Sequence, residues 1–285
     1  MTLIRKLFVC ALSCVCAGAA VAQTGALEKI RSSGAIALGY INDAAPFSSV
    51  DAKGEPQGYS VDLCREIARG IGAQLGLPKI EMRWVALTIQ NRLEAVSARR
   101  VDIECSTTTW TLSRQRVVDF SLITFVDGGS ILTRAGSGLG RIADLDGKRL
   151  AVIKGTTTER ALRDALARYS VNAQVLTVNT RPEGLKLVED AKVEGFAADR
   201  TTLVGSVLAK QAVAAYRLLD EDFSVEPYVF ALPSGEHEFR IAVNRVLARL
   251  FRTGEIGKVY ARWLGPLGPP SALLSATYFV QGIAE

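Results

Sequence analysis

The sequence holds a single histidine, His237, and its five cysteines form no cluster at metal-ligand spacing. A structural zinc site is therefore excluded, and no metal is expected. Beyond residue 22 no apolar run reaches the roughly 20 residues that a membrane-spanning helix needs. Low-complexity tracts and solenoid repeats are missing, as is the Gly-x-x-x-x-Gly-Lys loop that cradles nucleotide phosphates, so no cofactor is expected. The charge excess is small, 34 basic against 29 acidic residues for a formal net charge of +5. Two of those basic residues, Arg5 and Lys6, lie in the first few positions, which leaves too little to hold nucleic acid or an anionic membrane.

What is present begins with a leader. Arg5 and Lys6 precede the apolar run 7–17, and Ala20-Val21-Ala22 offers small residues for cleavage after Ala22. Residues 1–22 thus read as a signal peptide and the remainder as an exported, periplasmic protein. A retained anchor would need a longer apolar run, and Cys14 fits a lipid-attachment box poorly. Cys10, Cys14 and Cys16 leave with the leader, so Cys64 and Cys105 remain. In an oxidising compartment that pair suggests one disulfide. Two buried thiols fit the spacing equally well, because the bond requires Cα atoms within about 7 Å.

Short apolar runs alternate with longer helical patterns, which predicts an α/β protein with parallel sheets. A first series reads strand 35–40, helix 60–76 with Leu63, Ile67, Ile71 and Leu75 at spacings of four, strand 79–85, helix 89–99 and strand 101–105. After a Gly-rich stretch a second series reads strand 149–153, helix 157–169, strand 174–178, helix 182–191, strand 195–198 and helix 199–210. Apolar segments 128–133 and 227–232 flank this series as two candidate crossover strands. Helices over 238–251 and 255–264 return to the first lobe, Gly265–Pro270 ends helical structure, and the tail is expected on the surface. The expected division is lobe one over 23–128 and 229–285, with lobe two, 129–228, inserted. Clefts between lobes are where small ligands preferentially bind.

Three groups of donors and acceptors fall at strand ends, where open α/β sheets hold ligands. Thr107, Thr108 and Thr109 follow strand 101–105, and Arg114 lies five residues on with a fork suited to a carboxylate. In lobe two, Gly155-Thr156-Thr157 opens a helix whose free N–H groups favour anions. Asp199 ends a strand and faces an amine if it points into the cleft. Each has a plain structural reading beside it: a polar loop for the threonine triplet, an N-cap for Thr156 and another for Asp199. Together, donors for a carboxylate and an acid for an ammonium match an α-amino acid.

With Pro46-Phe47-Ser48, "GYSVDLC" at 58–64, "QNRL", "DIECSTTTWTLSRQRVVDFS", "GTTTE", "FAAD" and "GPP" at 268–270, the chain resembles the amino-acid-binding proteins of ABC importers, closest to their glutamate/aspartate-binding branch. The resemblance spans most of residues 27–275. It implies a two-lobed periplasmic binding protein of the Venus-flytrap, type II, class with two crossover strands. An ABC permease would be its membrane partner, the amino acid its ligand and the monomer its working form. Carried over by position, Arg114 and Thr109 grip the α-carboxylate with Thr156 or Thr157. Thr107 and Asp199 receive the ammonium, Phe47 forms an apolar wall and Arg92 holds a side-chain carboxylate.

The chain departs from the acidic branch at three places. Ile41 stands where that branch has arginine, Ile89 where it has serine and Arg181 where it has histidine. If Arg92 and Arg181 both enter the pocket, their buried charges demand an acidic ligand. If Arg181 turns to solvent, Ile41 and Ile89 make room for a larger side chain, with Trp110 as a wall. A non-amino-acid carboxylate is a third class of ligand. An enzyme on this fold, such as a cyclohexadienyl dehydratase, is the alternative activity, with Glu104 the one carboxylate in the central motif; a sensory receptor is another.

Overall fold

The computed structural model describes residues 25–284. The leader 1–22, its cleavage point and Cys10, Cys14 and Cys16 lie outside the described residues. Two separate mixed sheets, each with a parallel core of three strands, follow from the two β-α-β series. In the first, strands run in the order Glu81–Leu87, Ala35–Ile41, Ile103–Thr109, Glu226–Leu232 and Asp119–Phe120. The first three are parallel, and Glu226–Leu232 returns antiparallel beside Ile103–Thr109. In the second sheet the order is Gln174–Val178, Arg149–Ile153, Gly195–Asp199, Gly129–Arg134 and Tyr216–Leu218. The α/β, two-lobed class expected from the sequence is the one observed. No helix among the described residues is long and apolar enough to cross a membrane.

The helix Tyr59–Gln74 turns Leu63, Ile67 and Ile71 onto the first sheet, where all three are fully buried, as their four-residue spacing requires. Cys64 on this helix is bonded to Cys105 in Ile103–Thr109, with Cα atoms 6.2 Å apart. A helix face is thereby fastened to the strand that ends at the cleft.

Two segments differ from expectation. The third strand of the first sheet does not stop at Cys105 but continues through Thr109, and all seven of its residues are buried. Apolarity fails at Ser106 while the backbone keeps its ladder, with Thr109 opposite Tyr228 and Thr108 opposite Val229. The threonines are thus strand residues, not a following loop. The tail packs on the surface as expected, but as a helix, Ala272–Gln281, that buries Leu274 and Tyr278 against the lobe. The Tyr278 hydroxyl meets that of Tyr59 at 2.6 Å, and both lie within hydrogen-bond distance of the Thr124 carbonyl, whose two neighbours share two protons among these three contacts.

The chain passes between sheets at Gly128. Phe125–Asp127 belongs to the first sheet and Gly129–Arg134 to the second, and Phe125–Asp127 pairs antiparallel with Glu226, Pro227 and Tyr228. The first crossover is therefore two strands broken at a glycine. A Cβ on Gly128 would lie 2.4 Å from the Asp222 carboxylate, so the bend leaves no room for a side chain.

Candidate functional site

The carboxyl ends of both sheets face each other, and the structure is closed there. From the first lobe come Ile89, Arg92, Thr107 and Thr109; from the second come Thr156, Thr157, Thr158, Arg181 and Asp199. Together these line a cavity of about 20 Å³, the room of one water. The lobes touch where the Thr109 and Thr157 hydroxyls meet at 3.2 Å. On the far side of that contact lies an open groove of about 410 Å³ lined by Trp110, Arg114, Thr156, Thr157 and Glu226 among others. Arg114 is thus separated from Arg92 and Asp199 by one pair of hydroxyls.

Each arginine of the site has a chain carboxylate in its electrostatic surroundings, and for Arg181 that carboxylate is a direct ion-pair partner. Arg92 is buried at the start of the helix Arg92–Ser97, with Nη1 3.4 Å from the Thr107 carbonyl. Burial lowers its pKa, and the nearby Glu104 opposes that shift. Glu104 is itself fully buried and its pKa is raised by burial; one oxygen accepts from Thr108 at 2.8 Å and the other has no partner. Arg114 donates to the Thr109 carbonyl at 2.8 Å, and its pKa falls to about 10 through burial, then the neighbouring Arg92, against the pull of Glu226. Arg181 donates to Asp43 at 3.1 Å.

That last pair resolves the alternatives posed by the sequence in a third way. Arg181 enters the site, yet it does so with its own anion.

Asp199 ends its strand as the backbone N-cap of Arg200–Ala209 but makes no side-chain cap bond. Its carboxylate instead accepts from Thr158 at 2.8 Å and from the Tyr228 hydroxyl at 2.6 Å. Tyr228 also lies 3.1 Å from Asp127. A phenol has one proton, so two hydrogen bonds to two carboxyl groups require a second proton. Burial and the neighbouring Asp199 raise the pKa of Asp127 to about 7, so it takes up a proton more readily than an ordinary aspartate. Thr156 is an N-cap in the ordinary sense, accepting from Glu159 N–H at 3.1 Å. Thr157 is free of that duty and donates to Glu226 at 2.8 Å.

Phe47, expected as an apolar wall of the site, lies outside the cavity. It is fully buried in the first-lobe core, edge-on to Tyr59, Phe125 and Tyr228. The site residues not anticipated from sequence are Asp43, Asp127, Thr158, Glu226 and Tyr228. Tyr228 and Glu226 sit in the apolar crossover segment, where an acid and a phenol flanking Pro227 were the available signal. Asp43, three residues before Pro46, carried none.

The description "bacterial extracellular solute-binding proteins, family 3" matches residues 36–266. An L-glutamate/L-aspartate-binding protein of Pseudomonas aeruginosa is 30% identical over 251 residues, covering 88% of this chain and 83% of the relative. A glutamate/aspartate import solute-binding protein of Escherichia coli is 26% identical over 255 residues, covering 90% and 84%. Among solved structures, the ancestral amino-acid-binding protein AncCDT-1, a precursor of cyclohexadienyl dehydratase, superposes with a TM-score of 0.73 at 26% identity over 83% of this chain and 98% of that one. An ancestral arginine-binding protein bound to arginine gives 0.72 at 24% identity over 81% and 99%, a likeness of fold. With the two sheets, the closed cleft and these matches together, the chain belongs to family 3 of the bacterial extracellular solute-binding proteins.

Proposed function

We propose that the exported protein captures an amino acid between its lobes and presents the closed complex, as a monomer, to an ABC permease in the membrane. The observation that carries this reading is the Thr109–Thr157 contact with Arg114 on one side and Arg92, Arg181 and Asp199 on the other. Parting those hydroxyls merges the closed cavity with the Arg114 groove. The merged space offers a guanidinium and threonine donors to an α-carboxylate, and Asp199 to an ammonium. The inserted segment 129–228 is the lobe that moves, turning about the paired strands Phe125–Asp127 and Glu226–Tyr228 by hinge closure.

The named relatives make acidic amino acids the first ligands to try, with larger neutral ones next because Ile89 lines the cavity. The named relatives are binding proteins, so the reading is capture rather than turnover. The test is a thermal-shift screen of residues 23–285, unfolded and refolded to strip carried ligand, against amino acids, dicarboxylates and prephenate. Calorimetry follows on hits. A ligand at about 1,000 times its Kd adds about 4 kcal/mol to stability, a shift of several degrees. Consumption of prephenate, or no shift with any amino acid, overturns the proposal.

A further inference from the structure

Arg181 opens the helix Arg181–Glu189 of the second lobe, and its anion crosses from the first. Asp43 Oδ1 accepts from Arg181 Nη1 at 3.1 Å, and Oδ2 accepts from the Arg181 backbone N–H, also at 3.1 Å. The side chains are 6% and 16% exposed, so the pair is poorly screened by water. Of the other guanidinium donors, Nη2 reaches Thr107 Oγ1 at 3.4 Å and Nε is buried without a partner. Arg181 therefore lines the cavity with its charge paired to Asp43 and with guanidinium donors, Nε among them, unspent.

A ligand carboxylate placed against Arg181 has to share it with Asp43, and it brings a second negative charge close to the first. An amide or hydroxyl accepts from the guanidinium without that repulsion. Resting on the reading of the cleft as an amino acid site, we propose that Asp43 is a specificity-determining residue: it weakens acidic side chains relative to their neutral isosteres. The buried arginine is held in the closed cleft without demanding an anion from the ligand. The same geometry accounts for an arginine being tolerated beside Arg92 in a pocket walled partly by Ile89.

The experiment is the ratio of Kd for glutamine to Kd for glutamate, measured by calorimetry on the refolded protein and on Asp43→Asn, with aspartate and asparagine as the second pair. Like charges brought together at a desolvated site are strongly unfavourable, so the ratio should move toward the acid by about tenfold or more in Asp43→Asn. If Asp43 merely latches the lobes, both ligands weaken by one common factor, the ratio stays put and the proposal is overturned. Asp43→Ser carries the same measurement should Asp43→Asn fail to melt cooperatively. A parent protein that binds none of the four ligands, nor any other amino acid, overturns the underlying reading instead, a result the variants do not imitate.

Discussion

Replacing Gly205 with alanine adds one methyl group at the place where the lobes meet. Gly205 lies on the helix Arg200–Ala209 of the second lobe, and its backbone faces Ala45 and Pro46 of the first. A Cβ there would sit 2.3 Å from the Ala45 carbonyl oxygen and 2.8 Å from Pro46 Cδ. The first distance is about 1 Å inside an ordinary C···O contact. Neither core has to repack to relieve it, because the clash is between lobes; opening suffices. Overpacking of this kind costs about 1–3 kcal/mol, and here the cost falls on the closed form alone. Affinity drops in proportion to the closed fraction, by about 5- to 150-fold at 1.4 kcal/mol per tenfold. In the open form alanine is the better helix residue by up to about 1 kcal/mol. The expected signature of Gly205→Ala is thus weaker binding by calorimetry with an unchanged or slightly higher melting temperature without ligand. An unchanged Kd, or a ligand-free melting temperature lower by several degrees, would refute the assignment of this contact to closure.

Four further outcomes follow from the same geometry. Cys64→Ala with Cys105→Ala frees a loop closed over a sequence separation of 41, worth about 4 kcal/mol by chain entropy; at about 2–4 °C per kcal/mol the melting temperature should fall by roughly 8–16 °C, and a fall under about 2 °C would contradict it. Asp127, with its pKa raised to about 7, holds a proton in the folded state that the unfolded chain has lost above the ordinary Asp range. Its contribution to stability therefore declines as pH rises from about 4 to 7 and levels off above; Asp127→Asn should flatten that part of a melting-temperature profile, and an identical slope in both proteins counts against it. Arg114→Ala should weaken every carboxylate ligand by about a hundredfold or more, whereas Asp199→Ala should hurt amino acids far more than simple carboxylates in parallel calorimetric titrations.

How far the sequence carried depended on whether function was written in periodicity or in encounter. Leu63, Ile67 and Ile71 announce their helix because a buried face must repeat, and both β-α-β series were legible for that reason. The strand through Thr109 was cut short because its last four residues are hydroxyl-bearing, and their burial depends on partners such as Glu104 that a linear reading treats as neighbours only by number. Arg92, Thr107, Thr109, Thr157, Arg181 and Asp199 were singled out by type and position, and they do converge. Asp43 and Glu226 were not, because an acid becomes a partner only when a distant arginine or threonine folds against it. Phe47 belongs to a conspicuous motif, but what makes it conspicuous is a core of aromatic rings.

The crossover pair carries Asp127, Glu226 and Tyr228, and these side chains bond to Thr201, Thr157 and Asp199 of the other lobe. An axle is usually indifferent to what the jaws hold. Here it is not: turning it far enough to open the cleft strains or breaks bonds that also position Asp199 and Thr157, the residues proposed to receive the ammonium and the carboxylate. Dwell time and taste are therefore coupled. A lineage selected for a new cargo inherits a new release rate with it, and one selected for faster release drifts in what it carries.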